Sequence, residues 1–137
     1  LAAMIPIGQV LESTGITEMI AGGVVSLAGD LHVFWLLMII LVITMLITDV
    51  INNAATAVIM APFSVNIAVQ LGQPLEPFLM VVAVGASCAF LTPIGHQCNT
   101  LVMGPGNYKF SDYWRLGLPI DILIVLTSIP MILFVWL

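Results

Sequence analysis

The chain has 137 residues, of which 61% are hydrophobic and only 7% charged, with two basic residues against seven acidic ones. An average soluble domain carries roughly 25% charged residues, so a soluble globular domain and a disordered tail are excluded. Two basic side chains cannot neutralise a phosphate backbone, which excludes nucleic acid as a partner; with a mean hydropathy of +1.22, the solvent this chain is built for is lipid.

Residues 1–12 read as the end of a membrane span. In residues 13–30 the apolar positions are interrupted by Ser13, Thr14, Gly15, Glu18, Gly22, Gly23, Gly29 and Asp30. That pattern predicts a short amphipathic helix at the membrane interface, capped at Thr14 or Thr17 and stopped at Gly29. Both ends of the chain fall inside apolar segments and no cleavable signal peptide is visible, so the expectation is a fragment of a longer membrane protein. Cys88 and Cys98 stand in apolar surroundings, and no disulfide framework is indicated.

The charges then mark out long neutral runs. Asp30 to Asp49 encloses 18 uncharged residues, Asp49 to Glu76 encloses 26, and Glu76 to Lys109 encloses 32. A spanning helix needs about 20 mostly apolar residues, so each run can hold membrane helix. Residues 31–71 predict a hairpin of two helices meeting at the polar stretch Thr48-Asp49-Val50-Ile51-Asn52-Asn53-Ala54-Ala55-Thr56. Gly72-Gln73-Pro74 closes the second arm. Residues 77–108 predict a broken helix, interrupted at Thr92-Pro93-Ile94-Gly95-His96-Gln97-Cys98-Asn99-Thr100 and resuming as a half-helix at 100–104. Residues 116–137 predict a last span. Lys109 and Arg115 both lie in the hydrophilic loop 107–115, which the positive-inside rule places in the cytoplasm with the C-terminus outside.

The two polar breaks carry the functional reading. Lipid offers no partner to a freed backbone group, so irregular backbone at membrane depth must line a cavity or be packed in protein. Broken helices at the midplane are how secondary transporters form sites: their N-terminal ends face anions and their unwound carbonyls hold Na⁺ or H⁺. Asn52 and Asn53 precede a helix start suited to an anion. Asn99 and Thr100 precede the half-helix, and Pro93 and Gly95 expose carbonyls to a cation. No Ser/His/Asp trio, zinc-spaced His/Cys cluster or phosphate-binding glycine loop occurs, so a transport protein rather than an enzyme is expected.

At these breaks the chain resembles the C-terminal half of a divalent anion:Na⁺ symporter, the family of sodium-coupled sulfate and di- or tricarboxylate carriers. That family has Thr-Glu followed by Ser-Asn-Thr at the tip of a re-entrant hairpin, where this chain has Thr48-Asp49 and Asn52-Asn53-Ala54. It also has an unwound helix reading Ala-Phe-x-x-Pro-x-Ala-Thr-Pro-Pro-Asn, where this chain has Ala89-Phe90-Leu91-Thr92-Pro93-Ile94-Gly95-His96-Gln97-Cys98-Asn99. The resemblance implies an all-α polytopic transmembrane fold. This chain would be one inverted repeat with a re-entrant hairpin and a broken transmembrane helix. It implies symport of sulfate or a dicarboxylate with Na⁺ as the coupling ion and no other cofactor. The implied setting is the cell (inner) membrane, with the N-terminal half of the same carrier completing the site and a homodimer as the assembly.

By the same resemblance Asn53, Ala54, His96 and Gln97 fall on substrate-facing positions. Thr48, Ile51, Asn53 and Gly95 fall on positions that supply oxygens to one Na⁺, Ile51 and Gly95 through their carbonyls. Asp49, Asn52 and Asn99 support them. Asp49 has three open readings: pairing with a cation, accepting backbone N–H bonds at the tip, or protonation. Asn53 can also be read as a helix cap, and His96 as a structural histidine. Three departures stand out: Asn52 for Ser, Ala54 for Thr, and His96-Gln97-Cys98 for Thr-Pro-Pro. The run Thr-Pro-Ile-Gly-x-Gln-x-Asn resembles the sulfate-type branch. The competing reading is a related carrier of the ion-transporter superfamily, an arsenite or Na⁺/H⁺ exchanger in which Asp49 carries protons.

Overall fold

The computed structural model describes residues 6, 10, 13–15, 19, 22, 23 and 32–136. The expected span end at 1–12 and interfacial helix at 13–30 lie almost wholly outside the described residues. From residue 32 onward the elements are five helices: α1 (Val33–Thr48), α2 (Asn53–Gln70), α3 (Leu75–Ser87), α4 (Gln97–Met103) and α5 (Phe110–Trp136).

Helix α1 has no charged residue and buries one face through Leu36, Leu37, Ile40, Leu41, Thr44, Met45 and Thr48, the spacing of a helix surface turned to a core. Its other face leaves Trp35, Ile39, Val42, Ile43 and Leu46 exposed. The helix stops where Ile47 O accepts from both Val50 N and Ile51 N. Asn52 then turns extended and caps α2, its side chain accepting the Ala55 N–H at 2.8 Å; Asn is among the strongest N-cap residues. Only residues 49–52 separate the two helices.

Helix α2 ends in a Schellman turn. Gly72 takes φ +62°, Gly72 N reaches Val69 O and Gln73 N reaches Ala68 O, which is the paired bonding that motif requires. Pro74 then caps α3. Helix α3 is the centre of the described bundle. Phe78, Val81, Val82 and Ala86 are buried, and α3 packs against α1, α2 and α5. At the α1 crossing the backbones come close at Gly85, where a Cβ would stand 2.9 Å from the Thr44 Cβ; small residues of this kind let membrane helices approach.

The 16 residues of α1 rise about 24 Å and the 13 of α3 about 20 Å, at about 1.5 Å per residue. Both fall short of a hydrocarbon core of about 30 Å. Helices α2 and α5 are long and apolar enough to cross a membrane. Helix α5 leaves Leu116, Leu123, Leu126, Met131 and Phe134 exposed, surface that a membrane would cover. With residues 88–96 outside any helix, the short helices end against two irregular stretches rather than running through.

Two boundaries differ from expectation. The last helix starts at Phe110 rather than 116, because the Asp112 carboxylate accepts the Lys109 N–H at 2.8 Å and caps it. Arg115 therefore sits inside α5, not in a loop. The half-helix starts at Gln97 rather than Thr100, because His96 takes the capping position and its Nδ1 accepts the Cys98 N–H at 3.2 Å.

Candidate functional site

The two breaks lie against one another. Thr92 Oγ1 donates to the Asp49 carbonyl and accepts the Gly95 N–H at 3.2 Å. Asp49 Oδ1 accepts the Leu91 N–H at 3.0 Å. Gly95 is buried with the Thr48 carbonyl and Asp49 Cα around it. Asp49 is 3% exposed, and its Oδ2 has no partner among the described residues.

A second set of bonds orders the unwound stretch. Asn99 Nδ2 donates to Ala89 O at 2.8 Å and Thr92 O at 3.3 Å. Thr100 Oγ1 donates to Pro93 O at 2.6 Å. From α5, Tyr113 OH donates to Asn99 O at 2.7 Å. Freed carbonyls of the break are thus met by side chains, as backbone at membrane depth demands.

Where the breaks meet they line a half-open cavity of about 680 Å³, formed by residues 52–55 and 94–97 with Thr100 and Leu101. Asn53, Ala54, His96 and Gln97, the expected substrate-facing residues, all line it, as do Asn52 and Gly95. Thr48, Asp49, Ile51 and Asn99 do not. Thr48 sits one layer behind, wholly buried, with Oγ1 at 3.0 Å from both Asn53 Oδ1 and Ala86 O. Asn99 works from the far side of the break. Among the described residues no Asp, Glu, Lys or Arg lines the cavity.

Its electrostatics come from the backbone and from amides. Helix α2, 18 residues long, points its positive end at the cavity. Among the described residues the Asn53 and Ala54 N–H groups have no acceptor, and the Ile51 and Gly95 carbonyls receive no donor. Free donors and free acceptors therefore occur at one place, which suits an anion and a cation held side by side. Among the described residues no group of three or more His, Cys, Asp or Glu could hold a metal ion.

Sequence reasoning missed Tyr113, Thr92 and Ala86 as parts of this arrangement. Thr92 lay inside the quoted motif and could have been found there. Tyr113 and the Ala86 carbonyl carried no local signal, because each acts on a residue that only tertiary packing brings near.

Residues 1–137 match the family model described as citrate transporter. An uncharacterized transporter of Synechocystis sp. is 35% identical over 99% of this chain and 22% of its own length. Another, from Escherichia coli, is 39% identical over 96% of this chain and 22% of its own. A protein named sodium/sulfate cotransporter 2, from Chlamydomonas reinhardtii, is 27% identical over 93% of this chain and 15% of its own. The chain thus spans about a fifth of the length of the first two relatives.

Proposed function

The chain belongs to the citrate transporter family, and on that premise we propose that it supplies one cation–anion binding unit of a secondary transporter. The activity proposed is Na⁺-coupled symport of a divalent anion, sulfate or a dicarboxylate, by alternating access. The N-terminal half of the carrier contributes the rest of the site, and the carrier works as a homodimer in the cell membrane. Residues 31–71 then form a re-entrant hairpin, 77–108 the broken helix, and segment 107–115, the turn before α5 together with its first turns, faces the cytoplasm. Relatives named sodium/sulfate cotransporters support Na⁺ and sulfate as the pair.

The observation that carries this reading is the contact between Thr48 and Asn53. Thr48 has one hydroxyl proton and two acceptors at 3.0 Å, the Ala86 carbonyl and Asn53 Oδ1. When the proton goes to Ala86, Thr48 Oγ1 and Asn53 Oδ1 face each other with no hydrogen between them. Two such oxygens repel unless a cation lies against both. The unpaired Ile51 and Gly95 carbonyls of the same breaks add oxygens of the kind Na⁺ takes. The Asn53 NH₂ group remains for the anion in the cavity, so one side chain touches both co-transported ions.

Exchange driven by protonation of Asp49 is the less favoured reading. Asp49 does not line the cavity, and one of its oxygens is committed to Leu91. The test is Na⁺-dependent binding and uptake of labelled sulfate and succinate by the full-length carrier. Asn53→Ala should weaken anion and Na⁺ together, because linkage is reciprocal, and Asn53→Asp should abolish uptake. Loss of anion affinity in Asn53→Ala with wild-type Na⁺ affinity would refute the shared ligand.

A further inference from the structure

Three side chains on the cavity wall each have their acceptor atom engaged, two by backbone N–H groups and that of Asn53 at Thr48 and the cation proposed above. Asn52 Oδ1 takes the Ala55 N–H at 2.8 Å. Asn53 Oδ1 is turned onto Thr48 Oγ1 at 3.0 Å. His96 Nδ1 takes the Cys98 N–H at 3.2 Å. All three line the cavity.

The chemical consequence is the same at each. An amide whose oxygen is engaged can offer only its NH₂, with two donors. An imidazole whose Nδ1 accepts a hydrogen bond must carry its proton on Nε2 when neutral, because one ring nitrogen donates and the other accepts. The cap at the start of α4 thus sets the tautomer of His96 and leaves Nε2–H, with no partner among the described residues, as a donor at the cavity. The unpaired N–H groups of Asn53 and Ala54 add two more. Among the described residues no carboxylate lies on the wall to accept a proton from a ligand. The Thr100 hydroxyl has given its proton to Pro93, so that oxygen, the Gln97 amide and the Gly95 carbonyl are neutral, weaker acceptors.

We propose that this donor-biased wall selects fully deprotonated tetrahedral oxyanions of the sulfate class over protonated ones such as hydrogen phosphate, with His96 as a specificity-determining residue. The proposal rests on the cavity being the anion site. Sulfate and hydrogen phosphate match in shape and charge and differ in one P–O–H group. Sulfate presents acceptors only, so any wall donor it faces finds a partner. Hydrogen phosphate brings a donor that finds no ionised partner and displaces one of its acceptors from the wall. A site whose polar groups are paired by one ligand and left unpaired by another discriminates strongly between them.

The experiment is Na⁺-dependent binding of labelled sulfate to the full-length carrier, displaced by unlabelled selenate or phosphate at one pH. Selenate should compete within a few-fold of sulfate, and phosphate should be at least about tenfold weaker, the loss of one charge-assisted hydrogen bond. His96→Asn keeps an N-cap acceptor for Cys98 but draws the donor back toward the backbone, because its amide NH₂ sits on a shorter side chain than the ring Nε2–H. It should lower sulfate affinity about tenfold and narrow the gap to phosphate, with Na⁺ affinity in the absence of anion unchanged. His96→Ala, lacking the cap as well, should be weaker still. Phosphate displacing sulfate as well as selenate does, or His96→Asn binding sulfate as wild type does, would overturn the inference. Na⁺-dependent binding of succinate with none of sulfate would overturn it too while leaving the symport reading standing. Na⁺-dependent binding of neither anion would remove both.

Discussion

Gly95 sits against the carbonyl of Thr48 so closely that a Cβ on Gly95 would stand 2.8 Å from that oxygen. Thr48 ends the first helix of the described bundle and Gly95 lies in the unwound stretch. The contact is therefore where the two breaks are locked together. The same Cβ would be 2.9 Å from the Ala89 Cβ and 3.0 Å from the Asp49 Cα.

Gly95→Ala is expected to force the breaks apart, because two of those three neighbours are backbone atoms that cannot rotate away. Overpacking of this kind costs about 1–3 kcal/mol. The full-length carrier should melt at lower temperature and lose most Na⁺-driven uptake. Wild-type uptake in that variant would mean that the close approach has no role in the site.

Thr48→Val keeps the shape of the side chain and removes the oxygen that faces Asn53 at 3.0 Å. Na⁺ affinity should fall about tenfold, the scale of one lost polar contact to a charge, with anion affinity at saturating Na⁺ close to wild type. Thr48→Ser retains the hydroxyl and should retain Na⁺ affinity. Titration of Na⁺ against anion binding reads both. Equal Na⁺ affinity in the Val and Ser variants would take Thr48 out of the cation site.

Asp49 is placed to hold the unwound stretch through the Leu91 N–H. Asp49→Asn keeps a carbonyl oxygen for that bond and should fold with stability within about 1 kcal/mol of wild type, whereas Asp49→Ala orphans a half-buried N–H and should cost about 1–3 kcal/mol. Thermal melting of the purified carrier distinguishes them. A well-folded Asp49→Asn carrier without transport would show that the charge itself acts in the cycle.

The arms on either side of residues 49–52 should begin and end on one side of the membrane. With Cys88 and Cys98 replaced by Ser, single cysteines at His32 and Gln73 are expected to react with an impermeant thiol reagent from the same face. Reaction from opposite faces would exclude the re-entrant hairpin.

Much of this was legible in the chain. The neutral runs between Asp30, Asp49, Glu76 and Lys109 announce membrane helices because an uncompensated charge at the centre of a span costs about 2.5–3.5 kcal/mol. Gly72 as a helix stop follows from local backbone chemistry, while the helix cap read onto Asn53 falls one residue earlier, on Asn52. The substrate-facing set Asn53, Ala54, His96 and Gln97 could be named because a family motif puts those residues in two short stretches. The starts of α4 and α5 were misplaced by several residues, since His96 and Asp112 cap them through side chains that hydropathy does not weigh.

Local sequence was enough to say where helices stop, because caps, turns and burial of charge involve residues a few positions apart. It could not say that the two stops share one cavity. That required Asp49 to reach Leu91, Thr48 to reach Ala86 and Tyr113 to reach Asn99. Those bonds depend on α3 packing between α1 and α2 and on α5 closing over the unwound stretch. They also decide the direction of the polar groups. The identities of Asn52, Asn53 and His96 allow each to donate or accept, and only the partners that the fold brings to their acceptor atoms make them donors toward the cavity.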